Sequence, residues 1–172
     1  MKKYLKFASE TSTLVTTFIG FILLLLLFPL LPIDGELIDV QNWYTHAEAM
    51  ALLEGYGPTG RVAYIWSSLL LDTLFPVVYV TLLAGLIYRF RASESTWWLA
   101  ITPVFGGFVD LLENVQICVM LLSYPNVNEL QVLSSAICTS IKHWIFYLSA
   151  FLILVLMVTA LGKAVKSKLS RK

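Results

Sequence analysis

Four long apolar stretches constrain this chain more than any other feature of its sequence. They cover residues 13–32, 62–88, 97–124 and 132–161. Each is long enough to cross the ~30 Å hydrocarbon core of a membrane as a helix that rises ~1.5 Å per residue. Lipid offers no water to backbone N–H and C=O groups, so such stretches fold as helices there. The sequence therefore predicts an all-α integral membrane protein with four transmembrane helices.

The first stretch follows Lys2, Lys3 and Lys6, which raises the alternative of a cleaved signal peptide. The apolar part of a signal peptide is ~7–15 residues long and ends at a small-residue cleavage site. This stretch is longer and ends between Pro29 and Pro32. We interpret it as a retained helix.

Composition supports a membrane protein and excludes several other classes. Charged residues make up 13% of the chain, about half the share in an ordinary soluble domain, which is roughly a quarter. A net charge of +1 argues against a nucleic-acid surface. No C-x-x-C pair, P-loop, H-E-x-x-H or G-x-S-x-G motif occurs, and His46, His143, Cys118 and Cys138 are interpreted as packed residues rather than metal ligands. We expect no cofactor.

The connections between the stretches predict topology. Two of them, 89–96 and 125–131, are short, so consecutive helices should run antiparallel in one up-down four-helix bundle spanning 1–172. Lysine and arginine are concentrated at the N-terminus, at Arg89 and Arg91, and in the tail 163–172, whereas the other two connections carry only Arg61. The positive-inside rule then places both termini in the cytoplasm.

The outer loop 33–61 carries a helix signal of its own. Thr45 followed by Glu48 makes a capping box, and an apolar stripe continues after it, which predicts a short interfacial helix at about 46–54. Asp39, with the other acids early in this loop, is interpreted as solvated surface because the EF-hand spacing is absent.

Four charged residues lie within the apolar stretches: Asp72, Asp110, Glu113 and Lys142. Each costs at least ~2.5–3.5 kcal/mol at the centre of a membrane helix, so they should face the bundle interior and one another. Asp72, Glu113 and Lys142 each lie eleven residues from the outer end of their helix, and Asn114 adjoins Glu113. The sequence predicts that they meet at one depth, roughly 15 Å below the outer end, as a ligand-binding or proton site.

Other polar residues fall on the same helix faces and are expected to support this site: Ser68, Pro76, Tyr79, Ser135 and Thr139. Pro76 lacks an N–H and should free the carbonyl of Asp72, placing two oxygens at one point. Three acids and one lysine leave negative charge to be neutralised. The preferred pairing is Lys142 with Asp72 or Glu113, which leaves Asp110 as the acid that holds a proton.

The sequence is compatible with three functions. The working hypothesis is binding or translocation of a small or amphipathic ligand at the cluster, coupled to protonation. The alternatives are a small intramembrane enzyme, an acid/base isomerase or hydrolase of a lipid-like substrate, and a structural or assembly subunit whose buried ion pairs only specify helix packing. The expected partners are the lipid bilayer, a small-molecule or lipid ligand, and a second copy of the chain through small residues such as Gly20 and Gly85.

Overall fold

The computed structural model describes residues 1–169, which are mostly helical, with no strand in that range. Arg171 and Lys172 of the predicted basic tail lie outside the described residues. The α-helices are α1 (Lys2–Ala8), α2 (Thr11–Leu27), α3 (His46–Gly55), α4 (Gly57–Phe90), α5 (Thr102–Ser123) and α6 (Glu129–Leu169). Three 3₁₀ segments, Phe28–Leu30, Ile38–Val40 and Glu94–Ile101, lie between them.

Four helical segments are long and apolar enough to cross a membrane, which confirms the predicted number. They are Thr11–Leu30, Gly57–Phe90, Glu94–Ser123 and Glu129–Leu169. The third differs from the single α-helix expected over 97–124, because its first part is a 3₁₀ segment and α5 begins only at Thr102. Pro103 lies in the first turn of α5, where a proline without an N–H is tolerated, whereas farther into a helix it would clash with the preceding turn.

The ends of α3 and the start of α4 follow from local chemistry. Thr45 and Glu48 form the predicted capping box: Thr45 N donates to Glu48 Oε2 at 2.7 Å and Glu48 N donates to Thr45 Oγ1 at 3.3 Å. The first of these bonds holds the pKa of Glu48 below its usual range. Gly57 has φ of +63°, in the left-handed region that favours glycine, and Pro58 follows in the first turn of α4.

Helix α4 is the central element of the fold. It packs against α1, α2, α5 and α6, and α5 also packs against α6. In their most apolar windows, α4 and the third span are 50% buried, whereas α2 with its 3₁₀ end is 11% buried and α6 is 17% buried. The apolar side chains of α2 and α6 therefore lie mostly on the outside, as lipid-facing side chains do.

Glycines let the helices approach closely around α4. A Cβ at Gly107 of α5 would lie 2.5 Å from Val80 Cγ2 of α4, and one at Gly106 would lie 2.7 Å from Ile145 Cγ2 of α6. A Cβ at Gly85 would lie 2.2 Å from the carbonyl oxygen of Ala8. The sequence predicted Gly85 as a contact with a second copy of the chain, but it lies against Ala8 of α1 within the same chain.

Helix α1 is an element that the sequence analysis did not anticipate. The sequence there indicates only a basic start, but Leu5 and Ala8 are fully buried, and Leu5 belongs to an apolar cluster with residues of α4 and α6. Tyr4 Oη lies 3.0 Å from Thr81 Oγ1 of α4, and Arg89 donates to the Ser9 carbonyl at 3.3 Å. These contacts fix α1 beside the end of α4.

Candidate functional site

Lys142 on α6 lies at the centre of the buried polar residues. Its Nζ is 2.6 Å from Glu113 Oε2 and 3.3 Å from Asp110 Oδ1, both on α5, and 3.9 Å from Asp39 Oδ2 in the loop before α3. The Lys142 side chain is 11% exposed. One ammonium group therefore connects α6, α5 and the loop.

Glu113 is the partner of Lys142 that lies away from solvent. It is fully buried, and its Oε1 accepts a hydrogen bond from Thr139 of α6. Tyr44, also buried, donates to Ser135 Oγ at 2.8 Å and lies 3.3 Å from Thr139 Oγ1. Burial raises the pKa of the Tyr44 hydroxyl, so this group keeps its proton and acts as a donor. Thr139 thus holds Glu113, and Ser135 binds Tyr44, which comes from a loop that the sequence did not place here.

Asp110 is paired with Lys142, whereas the predicted pairing of Lys142 was with Asp72 or Glu113. It shares Lys142 with Glu113 and accepts a hydrogen bond from Tyr79 of α4 at 3.0 Å. The reason is the i, i+3 spacing of Asp110 and Glu113, which puts both carboxylates on one face of α5 within reach of a single long lysine side chain.

Asp72 on α4 is the acid without an ion pair. It is 6% exposed, and no lysine or arginine among residues 1–169 comes within 4.0 Å of its carboxylate. The alternative pairing of Lys142 with Asp72 is therefore not formed. Ser68, one turn earlier on α4, is buried as well.

The backbone carbonyl of Asp72 has a different role from the one expected. Pro76 leaves it without its usual helical partner, but the side chain of Asn114 donates to it at 2.7 Å. This carbonyl therefore joins α4 to α5 and is not left free beside the Asp72 carboxylate. Asn114 acts in helix packing at this bond.

The prediction that Asp39 lies on a solvated surface is wrong. Its side chain is 14% exposed, and Tyr64 Oη, fully buried on α4, donates to its Oδ1 at 2.5 Å. The neighbouring Ile38 is fully buried, because the 3₁₀ segment Ile38–Val40 folds back over the helices. The only sequence feature that indicates burial here is the placement of Asp39 between two apolar residues, Ile38 and Val40.

A cavity of about 330 Å³ opens beside these residues. Asp39, Asp72, Asp110 and Lys142 line it, whereas Glu113 does not. Most of the remaining wall is apolar and aromatic, with Phe21, Phe28, Phe75, Tyr79 and Phe146 prominent. The cavity therefore has charged groups on one part of its surface and aromatic rings on the rest.

Metal binding, a second cavity and the two cysteines complete the description of the polar side chains. Within residues 1–169 no group of three or more His, Cys, Asp or Glu side chains has a geometry that could hold a metal ion. A second cavity of about 220 Å³ lies against α6 and shares His143 with the first, but acidic side chains are not among its lining residues. Cys118 and Cys138 are free thiols, and Gln116 Nε2 lies 3.2 Å from Cys138 Sγ.

The fold and the cluster together define an all-helical protein with four membrane-length helices and a charged cavity between them. Comparison with models of known protein families, with curated proteins and with solved structures gives no match.

Proposed function

We propose that this chain is an integral membrane protein that binds a small or amphipathic ligand in the cavity lined by α2, α4, α5, α6 and the loop before α3. The main support for this proposal is the cavity, which has a volume of about 330 Å³. Its wall has charged side chains on one side, from Asp39, Asp72, Asp110 and Lys142, and aromatic rings on the other. Ligand sites are typically apolar concavities of at least about 300 Å³ with a few convergent polar groups.

The membrane arrangement belongs to the same proposal. The four long helices cross the bilayer as an up-down bundle, with both termini in the cytoplasm and α3 lying at the outer interface. The distribution of basic residues supports this orientation. Arg89 lies at the end of the second span, Arg91 lies between the second and third spans, and Lys163, Lys166 and Lys168 lie at the end of α6. In this orientation the loop containing Asp39 covers the outer end of the cavity.

The alternative of a purely structural cluster accounts for only part of the site. The pair formed by Lys142 and Glu113 has the features of a packing element, because Glu113 is fully buried and lies outside the cavity. A scaffold role requires no cavity, yet Asp72 and Asp110 line one. We assign Glu113 to holding α5 and α6 together and the other acids to the ligand.

Binding is favoured over translocation by the packing at α5. Gly106 and Gly107, about one turn from Asp110, are pressed against Ile145 and Val80 so closely that a Cβ at either position would lie less than 3.0 Å from its neighbour. A polar path from the cavity toward the cytoplasmic end would have to pass this contact. An enzymatic role rests on the carboxylates alone and stays second.

A cavity-blocking substitution tests the proposal. Val40 lines the cavity and is 57% exposed, while Val62 on α4 is 56% exposed and is not among the lining residues. Val40→Trp is therefore the test variant and Val62→Trp its matched control. Each protein, in nanodiscs of zwitterionic lipid, is unfolded thermally with 4-phenylbutyl compounds that carry a trimethylammonium, a hydroxyl or a sulfate head.

We expect at least one compound to raise the Tm of the wild type and of Val62→Trp. At about one hundred times its Kd, a ligand stabilises the folded state by ~2.7 kcal/mol, or roughly 5 °C or more for a chain of this size. Val40→Trp should show no such shift. An equal shift in Val40→Trp and the wild type would rule the cavity out as the binding site.

A further inference from the structure

We infer that the ligand is an amphipathic organic cation, an amine or quaternary ammonium whose charge lies at Asp72 and whose apolar part lies against the aromatic wall. This inference rests on the proposed function, since it names the chemical class that the same cavity takes. It follows from the charge around the cavity, from the absence of an ion pair at Asp72 within residues 1–169, and from the aromatic rings of the wall.

The charge around the cavity is negative when all four of its acids are ionised. Four acids, Asp39, Asp72, Asp110 and Glu113, surround one ammonium group, that of Lys142. Lys142 already lies within 4.0 Å of three of those acids, so it has little remaining attraction for an anionic ligand. A ligand with a positive charge offsets the excess, whereas an anion would add to it.

Asp72 is the acid for which a cation is missing. Glu113 and Asp110 pair with Lys142, and Asp110 and Asp39 accept hydrogen bonds from tyrosines. Asp72 lines the cavity, is more than nine-tenths buried and has no ion pair with any residue of 1–169. A buried carboxylate without a counter-charge is costly, and an ammonium group in the cavity removes that cost.

The aromatic wall of the cavity favours an organic cation over a metal ion. Phe75 of α4 is the centre of a ring cluster: its centroid lies 5.5 Å from that of Phe21, 5.5 Å from that of Phe28 and 5.3 Å from that of Tyr79. The faces of such rings attract ammonium groups, and the rings also bury an attached hydrocarbon. A hydrated metal ion would gain nothing from this surface, and the described residues contain no group of side chains that could hold a metal.

Three probes separate charge from shape. The cation is 4-phenylbutyltrimethylammonium, the neutral probe is its analogue with carbon in place of the nitrogen, and the anion is 4-phenylbutyl sulfate. Binding to the full chain is measured by calorimetry in nanodiscs of zwitterionic lipid, so that the membrane itself does not select by charge. The proteins are the wild type, Asp72→Asn, Phe75→Leu, Val40→Trp and the control Asp34→Asn, which removes an exposed acid of the loop.

We expect the wild type and Asp34→Asn to bind the cation about tenfold more tightly than the neutral analogue. Asp72→Asn should reduce this preference to about twofold or less, and Phe75→Leu should reduce it several-fold. Phe75→Leu leaves the polar cluster unchanged, so it keeps the test decisive if Asp72→Asn folds poorly. Stronger binding of the anion than of the cation would overturn the inference.

The remaining outcomes distinguish this inference from the proposed function. If the cation and its neutral analogue bind equally, or if neither Asp72→Asn nor Phe75→Leu changes the preference, the inference is wrong. The proposed function then stands provided that Val40→Trp abolishes binding. If Val40→Trp binds every probe as the wild type does, or no probe binds the wild type, both are overturned.

Discussion

Pro76 and Asn114 show how one residue creates a need that another, far along the chain, meets. Pro76 cannot donate to the carbonyl of Asp72, which lies four residues earlier in α4. A buried acceptor left without a donor costs about 1–3 kcal/mol, and lipid offers no water to replace it. The amide of Asn114, 2.7 Å from that carbonyl oxygen, supplies the donor from α5.

This pairing makes a prediction at the residue scale. Asn114→Ala should lower the free energy of unfolding by about 1–2 kcal/mol, because it leaves the Asp72 carbonyl unpaired. In a Pro76→Ala background the cost should fall by at least half, since the new backbone N–H at position 76 can pair with the same carbonyl. A double-mutant cycle of reversible unfolding in mixed micelles measures the coupling. Equal costs in the two backgrounds would show that Asn114 stabilises the fold in another way.

At the scale of elements, α1 is held against α4 by close packing as well as by the hydrogen bonds of Tyr4 and Arg89. Its basic residues predicted only that this end lies on the cytoplasmic side, but Leu5 and Ala8 are fully buried, and Gly85 of α4 leaves just enough room for the backbone at Ala8. The chain turns between α1 and α2 at Ser9 and Glu10. The docking of α1 thus depends on a residue more than seventy positions away.

Gly85→Ala tests this dependence. The added methyl carbon would lie 2.2 Å from a backbone oxygen that cannot rotate away, so α1 should be displaced from α4. We expect amide hydrogen exchange in 2–8 to increase at least about tenfold and Tm to fall by a few degrees, as is usual for overpacking. Gly162→Ala is the control and should behave as the wild type, because a Cβ at that position would have no neighbouring atom within 4 Å. Unchanged exchange in Gly85→Ala would mean that α1 is not held by this contact.

At the scale of the whole molecule, the placement of charge predicts how the chain is oriented. Arg89 lies in the last turn of α4 and Arg91 directly after it, whereas residues 33–61, the predicted outer loop, carry acids and only one arginine, Arg61. Short basic connections stay in the cytoplasm during insertion. The cavity, whose wall includes Asp39 from the outer loop, would then be reached from the outer half of the membrane.

Single cysteines test this orientation in a background in which Cys118 and Cys138 are replaced with alanine. Asp34→Cys in the outer loop should react with a membrane-impermeant maleimide on intact cells, and Ala92→Cys should react only after the cells are opened. Both positions are exposed, so each must label in opened cells as a control. Labelling of Ala92→Cys on intact cells would reverse the predicted orientation.

The sequence by itself determined the helical class, the four membrane-length helices and the capping box of Thr45 and Glu48, because these depend on local composition and spacing. It also indicated that Asp110, Glu113 and Lys142 avoid lipid, since burial of charge is costly wherever it occurs. Only the tertiary structure decided which acids Lys142 pairs with, that Asn114 meets the carbonyl freed by Pro76, and that Asp39 folds inward. These depend on the path of a loop and on the close approach at glycines, where side chains distant in sequence compete for the same space. Periodicity along one helix cannot resolve that competition, because it says which face is polar but not what lies opposite.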